Sequence, residues 1–123
     1  MSETTGFPGP VARSIDLLVD SLNGLEALLA LYRETDRTWT ANELAKRLRI
    51  SPRAAGHELE RLQARGIAEA ESDGHELVYR YHPVDSTHAA HVARIADAYA
   101  TRRIEMINHV ASSRLRRVRA ATQ

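Results

Sequence analysis

The stretch that decides the fold is TANELAKRLRISPRAAGHELERLQARGI, residues 40–67. It opens on a capping box, in which Thr40 accepts a hydrogen bond from the backbone of Glu43 and the Glu43 side chain bonds back to Thr40. Trp39 and Leu44 occupy the two positions of a hydrophobic staple around that cap. These signals predict a short helix that ends near residue 49.

A second helix follows after a tight turn. Ser51 is its predicted N-cap, and Pro52 occupies the first helical position, where its missing N–H costs nothing. The helix is predicted to run to Arg65 and to stop at Gly66, since glycine can adopt the left-handed conformation common after a helix end. The stretch therefore predicts two short helices joined by a turn.

The apolar period changes to two after this pair of helices. Residues 67–71 are predicted as a strand, residues 72–75 as a turn and residues 76–82 as the returning strand of a hairpin. Tyr79 and Tyr81 share a face with Leu77, and alternation in a hairpin places that face in the core.

Helices are also predicted on both sides of this centre. Residues 1–13 are rich in Gly, Pro, Ser and Thr and are predicted as a disordered arm, and a helix then begins with Ser14 as N-cap. That helix is apolar on more than one side, which predicts contact with a second subunit. A last helix, capped by Asp85 or Ser86, is predicted to about residue 111, so one domain spans residues 14–111 and a basic tail covers residues 112–123.

Composition narrows the class of protein. At 123 residues, with 43% apolar and 27% charged side chains, the chain is predicted to form one globular domain. No apolar run approaches the roughly 20 residues that a membrane-spanning helix needs. The first residues lack a secretory signal, and the absence of cysteine excludes disulfides and thiolate metal sites. We therefore expect a cytoplasmic protein without a membrane partner.

Charge is segregated along the chain although the net charge is only +1. Residues 37–66 carry a net charge of +4 and residues 86–123 carry +5, whereas residues 1–36 and 67–85 each carry −4. Two basic blocks are the pattern expected of a protein that meets phosphate with two of its surfaces.

Residues 38–83 resemble the MarR-like and related winged helix-turn-helix regulators. In those proteins a strand leads into a helix like ELAKRL, a Ser-Pro turn leads into a recognition helix ending L-x-x-L-x-x-x-G-I, and a hairpin wing follows. The resemblance implies a mainly α fold with a small β-hairpin wing, flanked by N- and C-terminal helices. It also implies a bacterial regulator that dimerises through its first and last helices and binds double-stranded DNA through residues 51–65.

Candidate DNA-binding residues follow from placing that recognition helix in the major groove. Helical periodicity buries Ala55, Leu59 and Leu62 and turns the opposite face outward. Basic side chains there donate to base edges or phosphates, and Gly56 either permits close approach of the backbone or accommodates packing. The candidates from the two helices and the wing are Thr40, Lys46, Arg47, Ser51, Arg53, Gly56, His57, Arg61 and Arg80.

Acidic residues complicate this interface. Glu60 shares the outer face of the recognition helix, but we expect it to form an intrahelical pair rather than to read a base. In the wing, only Arg80 and His75 can donate hydrogen bonds to DNA. The wing also carries four acidic side chains, which phosphate repels: Glu69, Glu71, Asp73 and Glu76. Either the wing therefore stands off the duplex, or the module binds a protein instead of DNA.

Neither a metal site nor an active site is predicted. His82, His88 and His91 lie close together in sequence, but only Asp85 accompanies them, and a solvated helix start is the favoured interpretation. No residue spacing indicates a catalytic triad or a pair of carboxylates converging on a pocket. We therefore expect a protein that is not an enzyme and carries no cofactor.

Three functional hypotheses follow. The favoured one is a homodimeric, sequence-specific DNA-binding transcriptional regulator whose operator is roughly palindromic. The alternative is a winged-helix module that binds a protein of the transcription apparatus without reading DNA directly. A third is a sensor whose small effector lies between the dimerisation helices and the winged domain.

Overall fold

The computed structural model describes residues 7–121 of the chain, and its side chains as far as residue 112. Within that range the chain forms six helices and three short strands. In chain order the elements are α1 (Gly9–Leu18), α2 (Leu22–Arg33), β1 (Thr38–Trp39), α3 (Ala41–Leu48), α4 (Pro52–Ala64), β2 (Ala68–Ser72), β3 (Leu77–Tyr81), α5 (Ser86–Thr101) and α6 (Arg103–Ala121). The strands form an antiparallel sheet in the order β1-β3-β2. The predicted fold class, mainly helical with a small hairpin, is confirmed.

The chain divides into two compact units. The winged unit, Asn23–Ala89, contains the sheet with α3, α4 and nearly all of α2, and the helical unit, Met1–Leu22 with Ala90–Gln123, contains α1, α6 and most of α5. Fully buried side chains in the winged unit include Leu25, Leu28, Leu31, Leu44, Leu59 and Ile67, and those in the helical unit include Ile15, Val92, Ile95 and Met106. No helix in the described part of the chain has both the length and the hydropathy to cross a membrane.

The capping box at the start of α3 is confirmed. The backbone N–H of Thr40 donates to Glu43 Oε1 over 2.9 Å, and the N–H of Glu43 donates to Thr40 Oγ1 over 3.1 Å. Trp39 and Leu44 are fully buried, as a hydrophobic staple requires. The helix ends at Arg49, whose φ of 61° is a left-handed conformation that turns the chain toward α4.

The start and end of α4 also follow the prediction. Ser51 Oγ accepts a hydrogen bond of 3.0 Å from the N–H of Ala54, and Pro52 is the first helical residue. After the C-cap, Gly66 has a φ of 79°, which a side chain rarely adopts. Its carbonyl then accepts from the N–H of Val84, over 2.8 Å, and so joins the end of α4 to the chain that leaves the wing.

The hairpin forms the wing, with Glu69 of β2 opposite Arg80 of β3. Observed and predicted strand ends agree within one residue. Tyr79 is buried as expected, but Leu77 is 52% exposed, so its prediction as part of a core face is wrong. Leu77 is the first residue of β3, next to the turn, and lies at the exposed end of the hairpin.

A third strand completes the sheet. The strand that the resemblance implies before the first helix of the pair is β1, in which Trp39 lies opposite Tyr79 and Thr38 lies opposite Arg80. This two-residue ladder leads directly into Thr40, the N-cap of α3. It therefore joins the helix pair to the central strand of the sheet.

The first predicted helix requires correction. Helix α1 begins at Gly9, so the predicted arm is helical over part of its length, and its residues 1–6 lie outside the described part. Ser14 lies within the helix rather than at its N-cap, because Pro10 occupies one of the first two helical positions, where proline is well tolerated. The chain then becomes extended at Val19, which separates α1 from α2.

Part of the apolar surface that was attributed to a partner subunit is buried in the single chain. That surface was predicted from Leu17, Leu28 and Leu31 of the first predicted helix; Leu28 and Leu31 are fully buried, whereas Leu17 is 57% exposed.

The last predicted helix is two helices, α5 and α6, separated at Arg102. Asp85 caps α5, since the N–H of His88 donates to its Oδ1 over 2.9 Å. Helix α6 continues to Ala121 rather than ending near residue 111, so the predicted basic tail is helical for most of its length. Its Ala and Arg residues favour helix, which accounts for the extension. Residues 122–123 lie outside the described part.

Candidate nucleic-acid interface

The outer face of α4 is the centre of the candidate site. Ala55, Leu59 and Leu62 are buried, as the periodicity predicted, and Arg53 and His57 are exposed on the other side. This outer side forms an open concavity of about 630 Å³ lined by Ser51, Pro52, Arg53, Ala54, Gly56, His57 and Glu60. The Arg53 side chain has no hydrogen-bond or ion-pair partner within the described residues, and it remains available to an external acceptor.

The N-terminus of α4 opens into this concavity. Ser51 uses its hydroxyl oxygen to cap Ala54, so its remaining capacity is that of an exposed hydroxyl donor. Pro52 has no N–H, and in the described part of the chain the N–H of Arg53 has no acceptor. The positive end of the helix dipole and this N–H together favour an anion beside the Arg53 side chain.

His57 and Arg61 form a pair one helical turn apart. Arg61 Nη1 lies 3.3 Å from His57 Nε2. Because a guanidinium only donates, this contact places the histidine proton on Nδ1 when the ring is neutral. His57 is exposed and Arg61 is half-buried, and their contact lies at the surface of α4.

Gly56 lies on the side of α4 that faces α3. A Cβ built on this glycine would lie 3.6 Å from the Cβ of Ala41, which is an ordinary van der Waals distance. Packing against α3 therefore does not require glycine at this position.

The three candidates at or near α3 differ in their availability. Lys46 is exposed and has no partner in the described region. Thr40 is half-buried, and its Oγ1 caps Glu43. Arg47 donates from Nη1 to Glu34 Oε2 over 2.6 Å, so it is occupied by an acidic residue at the end of α2.

Glu34 forms ion pairs with two arginines that lie beside the buried Trp39 ring. Arg37 lies 3.7 Å from the ring centroid and Arg47 lies 4.9 Å from it, while Arg37 Nη1 is 3.5 Å from Glu34 Oε1. The hydrogen bond from Arg47 is the largest cause that lowers the pKa of Glu34, and the charges of both arginines add to it. Sequence analysis missed Glu34, because no local pattern signals a partner 13 residues away.

In the wing, Arg80 is also occupied. Its Nη2 donates to Glu69 Oε2 over 2.8 Å, and this hydrogen bond raises the pKa of Arg80 and lowers that of Glu69. Asp73 is held ionised at the turn, where backbone N–H groups of Glu76 and His75 donate to its carboxylate and lower its pKa. The exposed end of the wing is therefore acidic, and Arg80 reaches a phosphate only by leaving Glu69.

The histidines that were considered as metal ligands have separate partners. His88 Nδ1 lies 2.6 Å from Asp85 Oδ1, and His82 Nδ1 lies 3.9 Å from Glu69 Oε1. In the helical unit, His91 Nδ1 lies 2.7 Å from the hydroxyl of Ser14. Among the described residues no three acidic or histidine side chains converge as a metal site would require.

Several solved structures share this arrangement. A mutant of MepR from S. aureus bound to an oligodeoxyribonucleotide matches with a TM-score of 0.59 and 13% identity, over 92% of this chain and 87% of that one. RV1404 from Mycobacterium tuberculosis matches with a TM-score of 0.54 and 17% identity, over 90% and 68% of the two chains. Reduced HlyU from Vibrio cholerae matches with a TM-score of 0.52 and 17% identity, over 76% and 85%.

The fold is a winged helix-turn-helix, in which α3 and α4 form the helix-turn-helix and β2 and β3 form the wing. No protein-family model matches the chain, and no curated protein matches it.

Proposed function

We propose that this chain is a sequence-specific DNA-binding transcriptional regulator that inserts α4 into the major groove. The observation that carries the proposal is the outer face of α4, where the unpartnered Arg53 side chain, the exposed His57 ring and the helix N-terminus border one concavity. Guanidinium and imidazole groups at such a position donate to guanine edges. The DNA-bound MepR mutant, whose fold this chain shares, supports the same use of the fold.

Phosphate contacts position the recognition helix in this proposal. Ser51 and the N–H of Arg53 bind phosphate at the start of α4, and Lys46 binds the backbone from α3. Arg47, Arg61 and Arg80 are further donors that exchange an intramolecular partner for DNA. Thr40 contributes through the capping of α3, and Gly56 keeps the concavity open.

The regulator acts as a homodimer in this proposal, and each subunit contacts one half-site of a roughly palindromic operator. Two exposed apolar side chains in the helical unit support a self-association surface there. Leu17 of α1 is 57% exposed and Ile104 of α6 is 66% exposed. The double variant Leu17→Asp with Ile104→Asp is expected to sediment as a monomer.

The class proposed is a MarR-like bacterial regulator that works in the cytoplasm, without catalytic activity or a cofactor, and whose effector, if it has one, is a small molecule. The resemblance of residues 38–83 to that family supports the assignment.

Selection of bound sequences from a random duplex pool tests the function. Wild-type protein is expected to enrich a two-fold symmetric motif, and the double variant Arg53→Ala with His57→Ala is expected to lose it while remaining folded by circular dichroism. Arg13→Ala is the matched control, because it removes one exposed arginine from α1, outside the winged unit. Enrichment that survives the double variant would show that α4 does not read the bases.

A second candidate is a protein-interaction module, favoured by the acidic end of the wing. Glu71, Asp73 and Glu76 are all exposed and lie around the hairpin turn. A module of this kind is expected to bind duplex DNA weakly at every salt concentration, whereas the regulator should lose affinity steeply as salt rises. A salt titration with nonspecific duplex therefore separates the two functions.

A further inference from the structure

The carboxylate of Glu60 lies on the face of α4 that the proposed function turns toward DNA. Glu60 is exposed and borders the same concavity as Arg53 and His57. The sequence predicted an intrahelical pair for it rather than contact with a base. Within the described residues, Glu60 accepts no hydrogen bond and has no ion-pair partner.

The Glu60 carboxylate is also near enough to the sheet for its charge to act on Tyr79. Its negative charge adds to the burial that raises the pKa of Tyr79, a buried residue of β3. Glu60 therefore lies where α4 approaches the sheet, at the opposite end of the concavity from the helix N-terminus.

An acidic side chain at this position is costly in a DNA-binding surface unless a donor on a base meets it. Phosphates repel it, and the guanine edge in the major groove presents only acceptors. The cytosine N4 amino group is a donor that a carboxylate can accept from. Adenine also has an amino group, but its neighbouring N7 is an acceptor, which suits an amide better than a carboxylate.

We propose that Glu60 is a specificity-determining residue that selects a cytosine in each half-site by accepting a hydrogen bond from its N4 amino group. The inference rests on the proposed function, and it assigns the base that this part of the site reads. Glu60 follows Arg53 by seven residues, a rise of about 10.5 Å along a helix. With base pairs about 3.4 Å apart, both side chains reach the same half-site while contacting different base pairs.

The test compares the motifs that four proteins enrich from a random duplex pool: wild type, Glu60→Gln, Glu60→Ala and Glu71→Gln. Wild type is expected to require cytosine at one position of each half-site. Glu60→Ala is expected to lose that requirement alone, and Glu60→Gln to shift it to adenine, because an amide both donates to N7 and accepts from the N6 amino group. Glu71→Gln is the matched control, because it removes one exposed carboxylate from the wing and should leave the motif unchanged.

Affinities for two defined duplexes give the magnitude. One duplex carries the selected half-site, and in the other the cytosine is replaced by thymine, whose O4 is an acceptor. Wild type is expected to discriminate between them roughly 5- to 150-fold, and Glu60→Ala to discriminate less than about twofold.

Two results overturn the inference and distinguish its failure from that of the proposed function. If Glu60→Gln and Glu60→Ala tighten binding to every duplex equally, with an unchanged motif, the carboxylate only repels phosphate and the proposed function stands. If wild-type protein with a native circular dichroism spectrum enriches no motif, the proposed function itself is wrong, and the cytosine assignment is wrong with it.

Discussion

The ion pair between Glu34 and Arg47 leads to a specific prediction about salt dependence. Arg47 Nη1 lies 2.6 Å from Glu34 Oε2, and in the wild-type protein this carboxylate competes with phosphate for the guanidinium. Glu34→Gln removes the competing charge and leaves an uncharged side chain of the same size. The variant is therefore expected to bind duplex DNA more tightly at low salt.

The magnitude follows from the number of cations released. Each additional phosphate contact steepens the slope of log K against log salt by about 0.9 on duplex DNA. Glu34 holds Arg47 and, at 3.5 Å, Arg37, so the slope is expected to steepen by about 0.9 if one arginine reaches a phosphate and by about 1.8 if both do. For one contact, the drop in affinity between 50 and 200 mM salt becomes about 3.5-fold larger.

Fluorescence anisotropy with a labelled nonspecific duplex across that salt range measures the slope. Glu26→Gln is the matched control, since Glu26 is an exposed glutamate on α2, close in sequence to Glu34, and has no partner in the described region. In the double variant Glu34→Gln with Arg47→Ala, the part of the steeper slope that comes from Arg47 should disappear. If Glu34→Gln and Glu26→Gln give the same slope, Glu34 does not compete with DNA for Arg47.

Three further predictions concern stability, each measured by urea unfolding. Thr40→Ala removes the N-cap of α3 and is expected to cost about 0.5–2 kcal/mol, whereas Thr40→Ser should cost less. Gly66→Ala and Gly74→Ala both place a side chain at positive φ, which is expected to lower the free energy of unfolding by about 1–2 kcal/mol in each case. At Gly66 the new Cβ would also lie 2.9 Å from Val84, whereas at Gly74 no atom lies within 4 Å of it. Gly66→Ala should therefore be the more destabilising, and equal costs would show that Val84 moves away freely. Finally, hydrogen bonds from α5 lower the pKa of Asp85, so its contribution to stability is present above its ordinary pKa of 3.8 and disappears as the pH falls through the lower folded value. Asp85→Asn should flatten that part of the pH profile, and an unchanged profile would contradict the assignment.

The winged-helix centre of the molecule could be predicted because its signals are local. The capping box at Thr40, the Ser51 cap with Pro52 and the glycine that ends α4 each depend on residues within a few positions of one another. The alternation in the hairpin is equally local. The buried and exposed faces of α4, and so the place of Arg53 and His57, follow directly from the helical period.

Features that depend on distant partners could not be predicted. Ser14 has the composition of an N-cap, but it is buried and contacts His91, 77 residues away. Arg47 was predicted to be available to phosphate, and only the folded chain brings Glu34 to it. For Glu60 an intrahelical pair was predicted, but within the described residues its carboxylate has no hydrogen-bond or ion-pair partner.

In the proposed function, the opposite charges of two parts of the winged unit bear on how it approaches DNA. Residues 37–66 carry a net charge of +4 and residues 67–85 carry −4, and both blocks belong to the same compact unit. The two blocks cancel in sum, but because positive and negative charge lie in different parts of the unit, residues 37–85 have an electric dipole moment. In the field of a polyanion the unit experiences a torque that turns α3 and α4 toward the duplex and the wing away before any contact forms. If the chain binds DNA as proposed, the acidic wing favours productive over unproductive collisions, and its effect falls on the rate of association more than on the strength of the final complex.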